Sequence, residues 1–384
     1  MSNEKSYDCV LVGGGLQNAL IAMALLARRP QTRFVIVERE SRLGGNHLWC
    51  FHPRDVPDEA RDFVEPLVAH RWPSYEVSFP HLNRRLNLAY AGITSDRLHQ
   101  VVTERVAASS AATILHGVSV DEVSAHAVTL ADGRTLEGTV VVDSRGPELF
   151  KSAGRLAYQK FLGLEISLSK PRPGFMPRVM DATVPQVDGY RFFYTLPFQD
   201  DQFLIEDTYY SDTPDLDRDR LRQGILAYAQ DQGLVVRDVV REESGVLPLT
   251  MRSEPHAVRD GVLVGGYAGG WFHPTTGYTF PVALRLAMHI SSRAPDEVFA
   301  AGWDRLLAQR QGQAGFFNLL NRMLFGAMVP QSRWTVFERF YRLPESTITR
   351  FYSLDLTMGD RVRLLVGRPP QGLSLRAAIA QVLE

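Results

Sequence analysis

Cysteine is nearly absent: Cys9 and Cys50 are the two in 384 residues. Two cysteines cannot build a disulfide framework, and such sparing use suits a reducing compartment. No window of about 18 apolar residues occurs, so no membrane-spanning helix is expected. The N-terminal "MSNEKSYDCVLVGGG" enters an apolar strand at once and leaves no room for the apolar core and cleavage site of a signal peptide. A net charge of −1 provides no bulk field to steer nucleic acid, and no nucleic-acid partner is expected. Cys, His and carboxylates do not cluster at ligand spacing, so no metal site is expected. Repeats and low-complexity segments are missing too. These absences leave a globular chain, 45% hydrophobic, too long for one simple core. Two interlocked domains, or one with a large insertion, are expected. The expected location is the cytoplasm, with contact to a membrane surface left open.

What is present begins with "YDCVLVGGGLQNALIAMALLAR". Cys9 to Val12 form a continuous apolar run, as in a parallel strand buried on both faces. Gly13, Gly14 and Gly15 make a tight turn, and residues 16–28 carry apolar side chains at helical spacing. "RFVIVERE" is the second strand, ending in Glu38. This is the βαβ unit in which glycines admit a pyrophosphate to a helix N-terminus, and an acid after the second strand binds the ribose. Gly13, Gly15, Leu16 and Glu38 are therefore candidate dinucleotide contacts. The third glycine position of G-x-G-x-x-G, which serves helix–strand packing, is Asn18, a departure that weakens the match to the motif without removing the phosphate site. Shortly after the acid come Leu43, Gly44, Gly45, Asn46 and His47. A glycine pair here resembles that of flavoproteins of the glutathione-reductase and hydroxylase type, where it lines the flavin and its diphosphate.

Three later segments point the same way. "GITSDRLHQVVTERVAA" reads as a helix capped by Thr94 or Ser95. "AHAVTLADGRTLEGTVVVDSRG" reads as a hairpin turning at Asp132-Gly133, then an apolar strand, Thr139 to Val142, ending at Asp143. "DGVLVGGYAGGWFHPTTGYTFPVALRLAMHI" is strand, glycine-rich loop and helix. Its Gly266, Ala268, Gly269, Pro274, Thr275 and Gly277 are candidate flavin contacts, and the dipole of the following helix favours an anionic reduced flavin. The acid that usually contacts the ribitol would fall near Gly266 and is missing, leaving backbone groups to make those contacts.

"QFLIEDTYYSD" places adjacent carboxylates, Glu206 and Asp207, on an apolar strand. Side chains alternate along a strand, so the two point to opposite faces unless the strand ends between them. A carboxyl group held in apolar surroundings stays protonated at neutral pH and is suited to acid chemistry. Both are catalytic candidates; Glu206 is the proton donor or acceptor, and Asp207 a structural or hydrogen-bonding support. Glu165, in "KFLGLEISL", is a second strand acid, read as an ordinary face residue.

Together "VLVGGGLQNALIA", "GGNHLWCFH", "VVDSRG", "FLGLEI", "FLIEDTYYSD" and "AGGWFHPTTGYTFP" resemble FAD-dependent bacterial lycopene cyclases, in the family's order, over residues 8 to about 290. The resemblance implies conversion of lycopene to β-carotene without net redox change. It implies FAD in the reduced form, with NADPH as electron source, and Glu206 matches the family's catalytic glutamate. A carotenoid substrate resides in the bilayer, so peripheral association with a membrane is implied as well. The alternative is an FAD-dependent hydroxylase or isoprenoid reductase of the same fold.

The expected fold is α/β, with a Rossmann-like FAD-binding domain built on a parallel sheet (1–55, 90–154 and 255–298). A strand-rich substrate-binding domain (56–89 and 155–254) is interleaved with it, and a helical region (299–384) follows. Residues 212–233 read as a helix stopped by Gly233. Trp49, Phe51, Trp271, Phe272 and Tyr278 are read as core or as cation–π groups. His47 and His273 are read as hydrogen-bonding loop residues, flavin-positioning groups or a proton relay. "GFFNLLNRMLFGAMVP", Gly315 to Pro330, is too short to span a bilayer. It reads as a buried helix, a tunnel wall or an interfacial segment. Oligomeric state is left open.

Overall fold

The structure is a computed structural model and describes residues 6–146, 156–252, 257–300 and 302–383. The expected domain boundaries at 154/155 and 254/255 lie outside the described residues.

The first sheet grows from Ser6–Val12, which pairs in parallel with Phe34–Glu38 on one side and Thr135–Asp143 on the other. Ala112–His116 and Val262–Val264 extend it in parallel at its two sides. Alternation along the first strand separates two cores. Cys9 and Leu11 meet the helices Leu16–Arg28, Ser95–Ala107 and Phe280–Ser291, while Val10 and Val12 face Val128 and Leu130 of the hairpin. That hairpin turns at Gly133, whose φ of +84° suits the αL conformation of a tight turn. Thr94 caps the helix Ser95–Ala107 by accepting from the Arg97 amide at 3.2 Å.

A seven-stranded sheet forms the second layer. Its order is Val236–Thr250, Leu156–Leu168, Gln202–Ser211, Tyr190–Gln199, Arg178–Asp181, Tyr75–Phe79, Leu82–Leu86. One face carries Phe203, Ile205 and Tyr209 against the helix Arg218–Asp231. This helix starts later than the sequence suggests, at an Asp217 cap, because Pro214 and the aspartates before it favour a loop. The other face carries Leu204 and Tyr210 into the main core, shared with the first sheet's helices and the C-terminal helices.

A third, three-stranded sheet sits at the junction: Leu48–Phe51, Tyr90–Thr94 and His70–Trp72. It draws strands from segments assigned by sequence to both domains. Helices from Trp303–Gly326 to Leu375–Leu383 complete the chain. Among the described residues no helix is long and apolar enough to cross a membrane.

Candidate active site

The glycine turn after Ser6–Val12 is tightly enclosed on one side and open on the other. Gly13 has φ +92°, and a Cβ there would lie 2.9 Å from the Ser144 carbonyl oxygen; one on Gly14 would lie 2.4 Å from Leu43 Cδ2. A Cβ on Gly15 would meet nothing within 4 Å, so the cradle opens at this residue. Gly15 also begins the helix that runs from Leu16, with no side-chain cap and no acid in its first turn. Free N–H groups and the positive end of the helix dipole are what a diphosphate requires. Glu38 closes the turn, its Oε2 accepting from Gly14 N–H at 2.6 Å and its Oε1 from Glu40 N–H at 2.9 Å.

Asn18, at the third glycine position, makes bonds of its own. Its Nδ2 donates to the carbonyls of Val12 (2.9 Å) and Gly13 (2.8 Å), and its Oδ1 accepts from Ser144 Oγ at 3.1 Å. The side chain ties helix, turn and neighbouring strand together where a glycine would only permit close approach. Asp143 engages Arg145 through both carboxylate oxygens, and its carbonyl accepts from Gly265 N–H at 2.8 Å.

The loop of Gly266, Ala268 and Gly269 is pinned by Trp271, whose indole N–H donates to Val264 O at 2.9 Å. His273 organises the next turn. Its Nδ1 accepts from the amides of Thr275 and Thr276 at 3.1 and 3.2 Å, so Nε2–H donates to Phe351 O at 2.9 Å. Burial pushes the imidazole down to about 3. It is neutral at physiological pH and fixes Pro274, Thr275 and the start of the helix Phe280–Ser291. That helix, too, lacks a side-chain cap and an acid in its first turn. Gly277 approaches the second sheet: a Cβ there would lie 3.0 Å from Leu247 Cδ1 and 3.1 Å from Gln159 Oε1. Beside these loops two buried amide oxygens, Gln17 Oε1 and Gln159 Oε1, have no hydrogen-bond partner. Open glycines, uncapped helix starts and two orphaned acceptors fit a bound dinucleotide whose ring carries N–H donors.

The glycine pair Gly44-Gly45 leads into a bridge between the layers. Asn46 donates to Glu242 O at 2.8 Å and accepts from Arg241 at 2.7 Å. His47 Nδ1 lies 3.0 Å from Glu243 Oε1. Glu165 pairs with Arg241 at 2.9 Å, an ordinary strand ion pair. The flagged aromatics are mostly packed: Phe51 stacks on Phe280 at 3.9 Å, Phe272 on Tyr267 at 3.8 Å, and Trp271 lies under Arg310. Tyr278 instead joins a polar network, accepting from His52 N–H and donating to Asp55.

Glu206 and Asp207 are separated by strand alternation. Asp207, fully buried, faces the helix Arg218–Asp231 and holds Arg191 bidentately at 2.8 and 2.7 Å. Glu206 faces the other way, toward the first and third sheets. The residue is half-buried, as are Cys50, Gln159 and Tyr194. Desolvation pushes the Glu206 carboxyl up to about 8, against a 2.5 Å hydrogen bond from Thr208 Oγ1 and with help from the charges of Glu243 and Asp207. Around it lie groups that sequence reasoning missed. Tyr194 is its cross-strand partner and donates to Tyr90 at 3.2 Å. Cys50, a thiol kept neutral by burial, lies within electrostatic reach of Glu206 and Glu243. A strand-period pattern could nominate Tyr194, but only pairing brings it here.

A cavity of about 490 Å³ opens among the C-terminal helices, almost wholly apolar in lining. Thr275, Thr276 and Tyr352 form part of its wall on the flavin-loop side; Leu320 and Met323 line it from the Trp303–Gly326 helix; Leu375 and Ile379 lie on the last helix. Residues 315–330 are buried in part: Phe317, Leu324 and Phe325 are buried, and Leu319, Leu320, Met323, Leu324 and Met328 line the cavity. Large exposed apolar side chains concentrate further on, at Met358, Val362, Leu365, Val366, Leu375, Ile379 and Val382, with Val235, Val240, Val258, Phe299 and Val329 exposed elsewhere.

The two-layer architecture, with its glycine turn and acid-terminated second strand, has the fold of FAD-dependent oxidoreductases. A probable FAD-dependent monooxygenase from Pseudomonas aeruginosa superposes with a TM-score of 0.59 over 94% of this chain and 99% of that one, at 18% identity. Sequence comparison then places the chain among its nearer kin. The family model for lycopene cyclase protein matches residues 8–378. A lycopene beta-cyclase of Pseudescherichia vulneris is 43% identical over 383 residues, covering 97% of each chain, and one of Pantoea ananas is 40% identical over 95% of each. The chain belongs to the lycopene cyclase family. The hydroxylase and reductase alternative is not favoured, since likeness to those enzymes extends to fold alone.

Proposed function

We propose that the chain performs the reaction of its family, cyclisation of lycopene ends to β rings, by proton chemistry centred on Glu206. The observation that carries this reading is a carboxyl group kept neutral at pH 7 by burial, beside Tyr194 on the face of the second sheet turned away from the helix Arg218–Asp231. An alkene is a very weak base, so its protonation demands an acid that is dry, close and still protonated. Glu206 delivers its proton to C2 of the terminal C1=C2 bond, leaving a tertiary cation at C1. The C5=C6 electrons close the C1–C6 bond, and loss of the C6 proton restores the double bond. Thr208 holds the carboxyl in place. Tyr194 and Tyr90 present aromatic faces and dipoles to the passing cation. Asp207 serves by locking Arg191 and the strand beneath.

FAD in its reduced form is the cofactor in this reading, with NADPH as electron source. Gly13, Gly15 and the amide of Leu16 hold its diphosphate, Glu38 its ribose. Gly44, Gly45, Asn46 and His47 flank it, as do the backbone groups at Gly266 to Gly277. When bound, a reduced flavin supplies negative charge that stabilises a developing cation. The apolar cavity takes the rest of the polyene. The exposed apolar side chains at 358–382, interspersed with Arg361, Arg363, Arg368 and Arg376, support docking on an anionic membrane surface from which a carotenoid enters.

Anaerobic incubation with lycopene-loaded liposomes, FAD and a reductant tests the reading. Ring formation without net NADPH consumption is expected. A requirement for oxygen, seen as no ring formation until air is admitted, or NADPH oxidation in proportion to product, would overturn it.

A further inference from the structure

A reaction that takes in one proton and releases another needs a base as well as an acid. We propose that Glu243 is that base: it receives the proton leaving C6 and passes it through His47 to water. This assignment rests on Glu206 being the proton donor.

The geometry comes from strand register. Tyr194 pairs with Glu206, Glu206 with Gly163, and Gly163 with Glu243. The four residues form one row across four adjacent strands. Directly paired residues share a face, so Glu206 and Glu243 point to the same side with a glycine between them. Two strand spacings put their backbones about 10 Å apart. The intervening residue has no side chain. A Cβ on Gly163 would already lie 3.3 Å from Leu204 Cδ1 and 3.7 Å from Glu206 Cγ, so anything larger would fill the space between the carboxylates. The row is thus acid, gap, acid, on the face turned away from the helix Arg218–Asp231.

The two carboxyl groups differ in their routes to solvent. Glu206 accepts from Thr208, inside the protein. The Glu243 side chain is 8% exposed and in contact with His47, whose ring is 52% exposed. Among the described residues its ion-pair partner is this imidazole, where most carboxylates here meet arginine. The neighbouring Glu242 lies on the opposite face and pairs with Arg222 at 2.6 Å. Imidazole is the side chain best suited to exchange protons with water near neutral pH.

The step balances without any external reagent. The Glu206 O–H bond breaks and a C2–H bond forms; the C5=C6 pair makes the C1–C6 bond, moving the cation to C5. The C6–H bond then breaks, its electrons re-form C5=C6, and its proton goes to Glu243. Glu243 releases that proton through His47, and Glu206 regains one from water, so both return to their starting states.

The test is Glu243→Gln in the full chain, with lycopene liposomes and reduced FAD, and with Glu243→Asp and Glu206→Gln alongside. Gln can still accept a hydrogen bond from His47, so a purely structural role should survive. We expect kcat to fall at least about a hundredfold, KM to stay within about threefold, and the remaining product to contain rings formed by proton loss at C4 or the C5 methyl. Aspartate should restore β rings at an intermediate rate. A Gln variant that makes β rings alone, at any rate, overturns the proposal. If it makes no product but binds FAD, Glu243→Asp decides: recovered β-ring formation supports the base, and continued inactivity overturns it. Activity in Glu206→Gln would instead remove the parent reading.

Discussion

Replacing Glu206 by glutamine should lower activity and raise stability, with a pH dependence that ties both to one carboxyl group. The ordinary value for a glutamate is 4.5, and burial raises this one to about 8. Its proton is therefore held more tightly in the folded than in the unfolded chain. Below 4.5 both states are protonated and the group costs nothing. Between 4.5 and 8 the unfolded chain releases its proton while the folded one retains it, so stability declines as pH rises. Above 8 the loss is complete. The interval corresponds to about 5 kcal/mol as an upper bound. Glutamine has nearly the same shape and no titration, so the variant should match the parent in thermal midpoint near pH 4 and exceed it increasingly up to pH 9. Cyclisation should fall by a factor of about 10² to 10⁴ or more, the usual contribution of a positioned acid, with FAD still bound. Parent activity should itself fade above pH 8 as the acid ionises. Thermal unfolding from pH 4 to 9 and pigment chromatography after reaction measure both effects. A Gln variant retaining over a tenth of the rate, or a stability difference flat across that range, would refute the reasoning.

Other perturbations follow from the same structure. Glu38→Ala should weaken FAD binding at least about tenfold, since it removes a charge-assisted acceptor; an unchanged affinity in fluorescence titration would undo the ribose assignment. Asp207→Ala strands Arg191, whose side chain is 14% exposed, and should cost about 3–5 kcal/mol in denaturant unfolding. The Asp207→Leu/Arg191→Met pair should cost less than the single change, and the reverse order would contradict the ion-pair account. Met358→Glu with Val362→Glu places charge on the exposed apolar face outside the cavity lining, and should reduce sedimentation with anionic liposomes several-fold while cyclisation of detergent-dispersed lycopene persists. Equal liposome binding would move the docking surface elsewhere.

What the sequence discloses depends on how local the physics is. The glycine turn, Glu38 and the Thr94 cap are legible because each acts within a few residues, where a φ angle or a hydrogen bond leaves a compositional trace. Asn18 is the instructive exception: at a position defined by the absence of a side chain, its amide makes three specific hydrogen bonds, which no spacing rule for glycine anticipates. Alternation is legible too, and it separates Glu206 from Asp207 before any coordinates are known. Register is not. Gly163, Glu206 and Glu243 lie 37 or more residues apart, in strands whose pairing is set by packing on both faces. Nothing near Glu243 in the chain marks it as different from Glu242, though one shares a face with Glu206 and the other meets Arg222. The apolar surface at 358–382 is hidden for a related reason. Its helices run two or three turns, and Leu365, Leu375, Ile379 and Val382 both border the cavity and stay exposed, so composition alone cannot assign them a role. A carboxylate's role here follows from which side of a strand it occupies and which strand lies beside it, and that makes the face shared by Glu206 and Glu243 the part of this site where substitution is most informative.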